Sequence, residues 1–208
     1  MEPVPPRKRD RTRTKAQILD AARRAFSARG YAQVSLRQIA QIAGTDPALV
    51  QRYFSSKLGL FEAALAETLR LDELLAAPRE RIGEHIAALL ADDKSEELGP
   101  LPMLLMAVAD PVTRPVALQQ LEASIMDPLA HWIGGPQGDI LAARMSMLCS
   151  GFFTYTRLLP VKAFSNGIDQ ETLRLFARGI QKIVDEGIAI DSDLSNAHQH
   201  ESGEGYYS

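Results

Sequence analysis

An all-α fold is predicted for this 208-residue chain, with a small N-terminal unit of three helices and a larger helical body behind it. Three observations carry the prediction. Apolar residues recur at i, i+3, i+4 and i+7 along most of the chain, the spacing of one helical face, and no stretch alternates with period two over a convincing length. Glycine and proline pairs fall between these periodic stretches, where helices have to stop. Charge is divided unevenly: residues 1–60 hold 12 Lys and Arg against 4 Asp and Glu, a net of +8, whereas residues 61–208 hold 11 against 22, a net of −11. A basic head on an acidic body points to a nucleic-acid-binding unit joined to one with a different task.

Taken in order, residues 1–13 read as a mobile basic arm. Arg7, Lys8, Arg9, Arg11 and Arg13 follow Pro3, Pro5 and Pro6 with no apolar face, a composition suited to tracking phosphates. The first helix is expected from Thr14 to Arg29, opened by the capping-box spacing of Thr14 and Gln17 and closed by Gly30. Ile18, Leu19, Ala22 and Phe26 form its inner face. Ser35 and Gln38 repeat the capping box before a second helix whose Leu36, Ile39, Ala40 and Ala43 share one side. Gly44 stands where that helix must end with φ > 0. Asp46 then offers an N-cap and Pro47 a preset first helical residue, so a third helix covers Pro47–Phe54. Two helices across so short a turn make a helix-turn-helix.

Ser55 or Ser56 caps a fourth helix that carries Leu58, Phe61, Leu65 and Leu69 and is expected to run to Ala77, where Pro78 stops it. Later helices are expected over residues 80–91, 101–109, 114–133, 139–159 and 169–186. Gly99-Pro100, Asp110-Pro111, Gly134-Gly135-Pro136 and Asn166-Gly167 separate them. From Asp191 the chain is polar and expected to be disordered. The organisation is therefore an arm (1–13), a helix-turn-helix domain (14–60), a helical regulatory and dimerisation domain (61–190) and a tail (191–208).

Several classes are excluded or weakened. A single cysteine, Cys149, rules out an internal disulfide and a cysteine-clustered zinc site, and its apolar neighbours make it a buried small hydrophobe. Of His85, His131, His198 and His200 only the last two are close, in the tail. No phosphate-binding glycine loop, nucleophile elbow or zinc-helix motif occurs. No catalytic residue, metal site or cofactor is assigned, and the acidic run Asp92, Asp93, Glu96 and Glu97 reads as a solvated loop. No apolar run approaches the roughly 18 residues of a membrane span, and no signal-peptide h-region follows the basic residues. A soluble, cytoplasmic protein without a membrane partner is expected.

The N-terminal part of a recognition helix faces base edges. Pro47 and Ala48 permit close approach, Gln51 suits adenine, and Arg52 suits guanine. Ser35 and Thr45 can donate to phosphates at helix N-termini, and Lys57, poorly placed for the dipole of the fourth helix, is explained by a phosphate partner. One such helix reads only a few base pairs, so a homodimer on a pseudo-palindrome is expected. Ile140, Met147 and Gly151 on one helix, with Leu173, Phe176 and Ile180 on the next, are candidates for its seam; the alternative is that the chain's own core covers these faces.

The residues Ile18, Leu19, Ala21, Ala22, Phe26, Gly30 and Tyr31, then Ser35, Ile39, Ala40, Ala43 and Gly44, then Leu49, Val50 and YFSSKLGLF from Tyr53 to Phe61, resemble the DNA-binding domain of the TetR/AcrR family of bacterial transcriptional repressors. The resemblance covers about fifty residues. It implies a repressor that binds a palindromic double-stranded DNA operator as a dimer and is released by a small-molecule effector. It also implies a phosphate contact for Tyr53 and a helical ligand-binding and dimerisation domain behind the head. Candidate ligand-binding residues are Met103, Met106, His131, Trp132, Met145, Phe152, Phe153 and Tyr155, which favour a hydrophobic or aromatic compound. The competing expectation is a ligand-independent DNA-binding protein whose body only dimerises. Two residues depart from the family pattern: Asp46, where a serine is usual, brings a carboxylate near DNA, and Leu58 stands where an acidic residue is common.

Overall fold

The computed structural model describes residues 8–69, 71–72, 74–92, 101–159 and 161–201, with the side chains of 8–10 and 188–201 left aside. The described residues contain helices and no strand. They form two compact units, Met1–Arg70 with Glu97–Glu122, and Leu71–Glu96 with Ala123–Ser208. Among them, no helix is long and apolar enough to cross a membrane.

The first unit is built from α1 (Lys8–Arg29), α2 (Leu36–Ile42), α3 (Pro47–Phe54) and α4 (Lys57–Thr68), joined by α6 (Leu101–Ala109) and α7 (Arg114–Leu121). The segment between α4 and α6 carries α5 (Ile82–Ala91), which belongs to the second unit. α1 packs on α2, α4 and α6, and α4 packs on α3 and α7. Ile18, Phe26, Ile39, Val50, Leu60 and Phe61 are buried at the centre. Phe26, Tyr31 and Phe61 form an aromatic cluster with ring centroids 5.4–5.9 Å apart, a geometry that adds quadrupole attraction to apolar burial. Gly30, at φ +73°, leaves room for the Met106 side chain, whose Cε lies 3.1 Å from where a Cβ would stand. This unit is larger than residues 14–60, because the apolar faces of α6 and α7 complete the core of the head.

The second unit contains α5, α8 (Asp127–Ile133), α9 (Gly138–Phe153) and α10 (Gln170–Glu201). Ile82, Ile86, Leu129, Ile133, Leu141, Met145 and Ile180 lie in one buried cluster with Phe176 and Val184. Gly83 and Gly187 allow close helix contact: a Cβ on Gly83 would stand 2.2 Å from the Ala177 carbonyl oxygen, and one on Gly187 2.7 Å from Ile133 Cγ2. Gln181 ties the layers by accepting from the Gly83 N–H (3.1 Å) and donating to the Arg79 carbonyl (2.9 Å). The Arg79 guanidinium lies over the Trp132 ring and donates to the Trp132 and Ile133 carbonyls, closing the C-terminus of α8. Burial pushes the Cys149 thiol up to about 12, which keeps it protonated and unreactive at neutral pH.

Four expectations are corrected. The helix begins at Lys8, not Thr14, since nothing after Pro6 stops helix and Arg and Lys are good helix formers; Pro3, Pro5, Pro6 and Arg7 of the expected arm lie outside the described residues. The fourth helix ends at Thr68, not Ala77. Thr68 Oγ1 bonds back to the Ala64 carbonyl (2.7 Å), and Leu71, Leu74, Leu75 and Ala77 are drawn into the core of the second unit. The helix expected over 114–133 is α7, a π-helical turn at Glu122–Met126, and α8. Pro128 lacks the N–H that would continue α-helical bonding, and a π turn accommodates the mismatch. Finally α10 continues to Glu201, into the stretch expected to be disordered, because no glycine or proline interrupts residues 188–201; residues 202–208 lie outside the described residues, as do 93–100 with Asp93, Glu96, Glu97 and Gly99-Pro100.

Candidate nucleic-acid interface

α2 opens with a complete capping box: the Gln38 N–H donates to Ser35 Oγ (3.2 Å), and the Ser35 N–H donates to Gln38 Oε1 (2.8 Å). The helix ends at Ile42 with Ala43 as its C-cap, and Gly44 turns the chain at φ +63°. The Thr45 N–H then donates to the Ala40 carbonyl (2.9 Å). Asp46 restarts the chain as helix, one carboxylate oxygen accepting from the Ala48 N–H at 2.7 Å. Ala40 is fully buried where α2 and α3 meet. Each of these devices acts within a few residues, so the turn is built by local chemistry.

α3 turns Val50 and Phe54 into the core and leaves Pro47, Ala48, Gln51 and Arg52 exposed. The exposed set combines two small residues at the N-terminal end with an amide and a guanidinium one turn later, an arrangement able to approach and read base edges. Ser35 is exposed and Thr45 half-buried. Tyr53 is half-buried, its ring 5.8 Å from the Arg52 guanidinium. Ser55, at φ +58°, and the Ser56 cap on the Gly59 N–H (2.9 Å) start α4. Gly59 is needed there because a Cβ would stand 2.7 Å from the Phe54 carbonyl oxygen.

Lys57, expected at a phosphate, lies against an aromatic ring of its own unit. It is half-buried with Nζ 4.1 Å from the centre of the Tyr31 ring, a cation–π contact. Burial pulls its pKa below the ordinary lysine value, while Asp110 acts in the opposite direction. Burial and then Asp110 push the Tyr31 hydroxyl up. Asp110 itself caps the turn into α7 by accepting from the Val112 N–H (2.8 Å). Tyr31 and Asp110 were not legible as partners of Lys57, since neither lies at a helical spacing from it and Asp110-Pro111 carries only a helix-break signal.

The candidate ligand residues do not share one unit. Met103 and Met106 belong to the first, where Met103 is fully buried and Met106 meets Gly30. The other six belong to the second: Met145 is core, Trp132 carries Arg79, Phe152 stacks on Phe176 at 4.2 Å, Phe153 is half-buried, and His131 and Tyr155 are exposed. An open cleft of about 350 Å³ lies in the first unit, lined by Lys15, Leu19, Ala63, Ala66 and Glu67, none of them a candidate. The seam candidates divide too. Ile140 and Met147 are exposed, Gly151 has open space beside it, and Leu173 is half-buried. Phe176 and Ile180 are buried in the unit's own core, on the face of α10 turned towards α5 and α9.

Residues 18–64 match the family model described as bacterial regulatory proteins, tetR family, and residues 80–184, half of the chain, match the tetracyclin repressor-like C-terminal domain. The chain belongs to the TetR family. Curated relatives of this TetR-family regulator include the HTH-type transcriptional regulator TtgR of Pseudomonas putida, 32% identical over 101 residues, which are 49% of this chain and 43% of TtgR. The regulator BetI of Brucella anthropi is 40% identical over 79 residues, 34% of this chain and 41% of BetI. The alignments thus span less than half the length of either relative. The crystal structure of NalD, described as the secondary repressor of the MexAB-OprM multidrug efflux pump in Pseudomonas aeruginosa, shares the fold at a TM-score of 0.58 and 20% identity, over 83% of this chain and 98% of that one.

Proposed function

We propose that this TetR-family regulator is a repressor that binds a pseudo-palindromic double-stranded operator as a homodimer, with α3 of each protomer in a major groove. The exposed face of α3, with Pro47, Ala48, Gln51 and Arg52 held outward by the buried Val50 and Phe54, carries this reading. Ser35, Thr45, Tyr53 and Lys57 are assigned to phosphates around it, Lys57 by exchanging the Tyr31 ring for DNA. The dimer is assigned to the exposed Ile140 and Met147 of α9 with Gly151 on the same helix, together with the exposed Tyr155 and Leu175. A stripe of this kind in water favours a self-complementary two-fold contact.

Release by a small hydrophobic or aromatic effector is assigned to the second unit, where His131, Trp132, Phe152, Phe153 and Tyr155 supply aromatic surface with polar edges. A second reading, a body that only dimerises, is favoured by Met103 and Met145 being packed core residues. Thermal-shift screening of the full chain against apolar and aromatic compounds, followed by operator titration with any hit, decides between them. A hit that weakens operator binding supports induction, and hits that stabilise without changing operator affinity support the second reading.

Operator binding is tested by fluorescence anisotropy on sequences selected from a random duplex pool. If two heads neutralise roughly six to ten phosphates, log K falls against log salt with a slope near −0.9 per phosphate. Arg52→Ala relaxes the base preference at one position of each half-site at a cost of about 1–3 kcal/mol, and Lys57→Ala weakens all sequences alike. Equal affinity for every sequence overturns the proposal.

A further inference from the structure

Asp46 is chemically out of place in the head that contains it. Residues 11–60 hold two acids, and Asp20 is neutralised by Arg23 (3.0 Å) and Arg24 (2.6 Å). Asp46 is exposed and makes no ion pair with any described residue. Its one hydrogen bond holds it in place: an oxygen accepts from the Ala48 N–H at 2.7 Å, which locks the carboxylate onto the first turn of α3. No described donor bonds its second oxygen, and Asp46 is exposed together with Pro47 and Ala48, the two small residues that follow it. A fixed negative charge here, on a surface meant for a polyanion, costs binding energy unless it meets a donor.

Resting on the reading of α3 as the recognition helix, we infer that Asp46 is a specificity-determining residue that accepts a hydrogen bond from the N4 amino group of a cytosine in each half-site. A carboxylate accepts only. Phosphates repel it, and so do the N7 and O6 of guanine and the O4 of thymine. The donors offered by the major groove are cytosine N4 and adenine N6. In an A·T pair the amino group lies between two acceptors, N7 and O4, and both oppose a carboxylate. In a C·G pair the N4 amino group has the non-polar C5 edge on its outer side, so the charge is flanked by one acceptor only. The N-terminus of α3 also favours an anion. Asp46 supplies that anion from the protein itself and so denies the position to a phosphate, which gives the first turn to a base rather than to the backbone.

The test is binding-site selection from a random duplex pool with the full chain and with Asp46→Ser and Asp46→Asn, which both retain an N-capping oxygen. Thermal melts confirm that each variant is folded. The wild type is expected to enrich one cytosine in each half-site. Replacing it by thymine in one half-site weakens wild-type binding roughly five- to hundredfold, the range for losing a good base contact. Asp46→Ser is expected to lose preference at that position and to retain the rest of the motif, and the thymine operator then binds it as well as the cytosine one. A motif identical in wild type and Asp46→Ser, with affinity raised equally for all sequences, means that the carboxylate only repels phosphates and overturns the assignment. Enrichment of adenine at the position lost in Asp46→Ser overturns the cytosine assignment as well. A wild type that enriches no motif at all overturns the operator reading beneath it.

Discussion

In the first unit Gly44 is held at φ +63° with nothing within 4 Å of where a Cβ would stand, whereas in the second Gly83 needs no left-handed backbone and a Cβ there would lie 2.2 Å from the Ala177 carbonyl oxygen. One glycine is required by the conformation of its own residue, the other by a helix far along the chain. The same division separates the bonds that hold each unit together. In the head, Ser35, Asp46 and Ser56 each cap a helix by bonding two or three residues ahead. In the second unit, Gln181 reaches Gly83 across 98 residues and Arg79 across 102. The helix-turn-helix is therefore set by local rules, and the second unit by contacts that exist only after it has folded.

The largest expected effect tests where the body buries its apolar residues. Phe176→Glu places a charge in the core beside Phe152 and should lower stability by about 3–5 kcal/mol, the cost of an uncompensated buried charge. Met147→Glu, on a residue 72% exposed, should leave stability nearly unchanged and shift the protein to monomers in sedimentation. Urea unfolding and sedimentation together read both outcomes. A folded, monomeric Phe176→Glu variant would move the seam onto α10 and break the contrast.

The two glycines come next. Gly83→Ala forces α5 away from α10 and should cost about 3 kcal/mol, at the upper end of overpacking penalties. Gly44→Ala meets no atom and should cost about 1–2 kcal/mol, the price of a left-handed residue with a Cβ. Equal costs in urea unfolding would mean that the close approach of α5 to α10 relaxes freely. A Gly44→Ala variant that kept its stability but lost operator binding would show that the turn positions α3 without stabilising it.

The smallest effect is a pH dependence at the start of α10. Asp169 accepts from the Thr172 hydroxyl (2.6 Å) and from the Thr172 and Glu171 N–H groups, and these bonds, the hydroxyl foremost, hold its carboxyl below the usual carboxylate range. A depressed folded pKa contributes stability above the unfolded value, and that contribution is lost as pH falls through the carboxylate range. The urea midpoints of wild type and Asp169→Asn should therefore differ most at neutral pH and converge on acidification. A gap that stays constant with pH would show that the cap acts without its charge.

The sequence alone determined the helix-turn-helix. Gly44, Asp46-Pro47 and the Ser35–Gln38 box are local instructions, and the outward set Pro47, Ala48, Gln51 and Arg52 follows from helical spacing once Val50 and Phe54 are placed inside. It also determined that the chain is helical and where most breaks fall. Only the tertiary structure decided that α6 and α7 join the head, that α4 stops at Thr68 so that Leu71, Leu74 and Leu75 enter another core, and that Lys57 lies over Tyr31. It also decided which apolar face of the body stays exposed. Ile140 and Met147 lie on a helix whose period matches that of Phe176 and Ile180 on the next, and hydrophobic spacing marks a face without naming its partner. Caps and turns are settled within a few residues by bonds to neighbouring backbone, whereas burial depends on what the rest of the chain brings to each face.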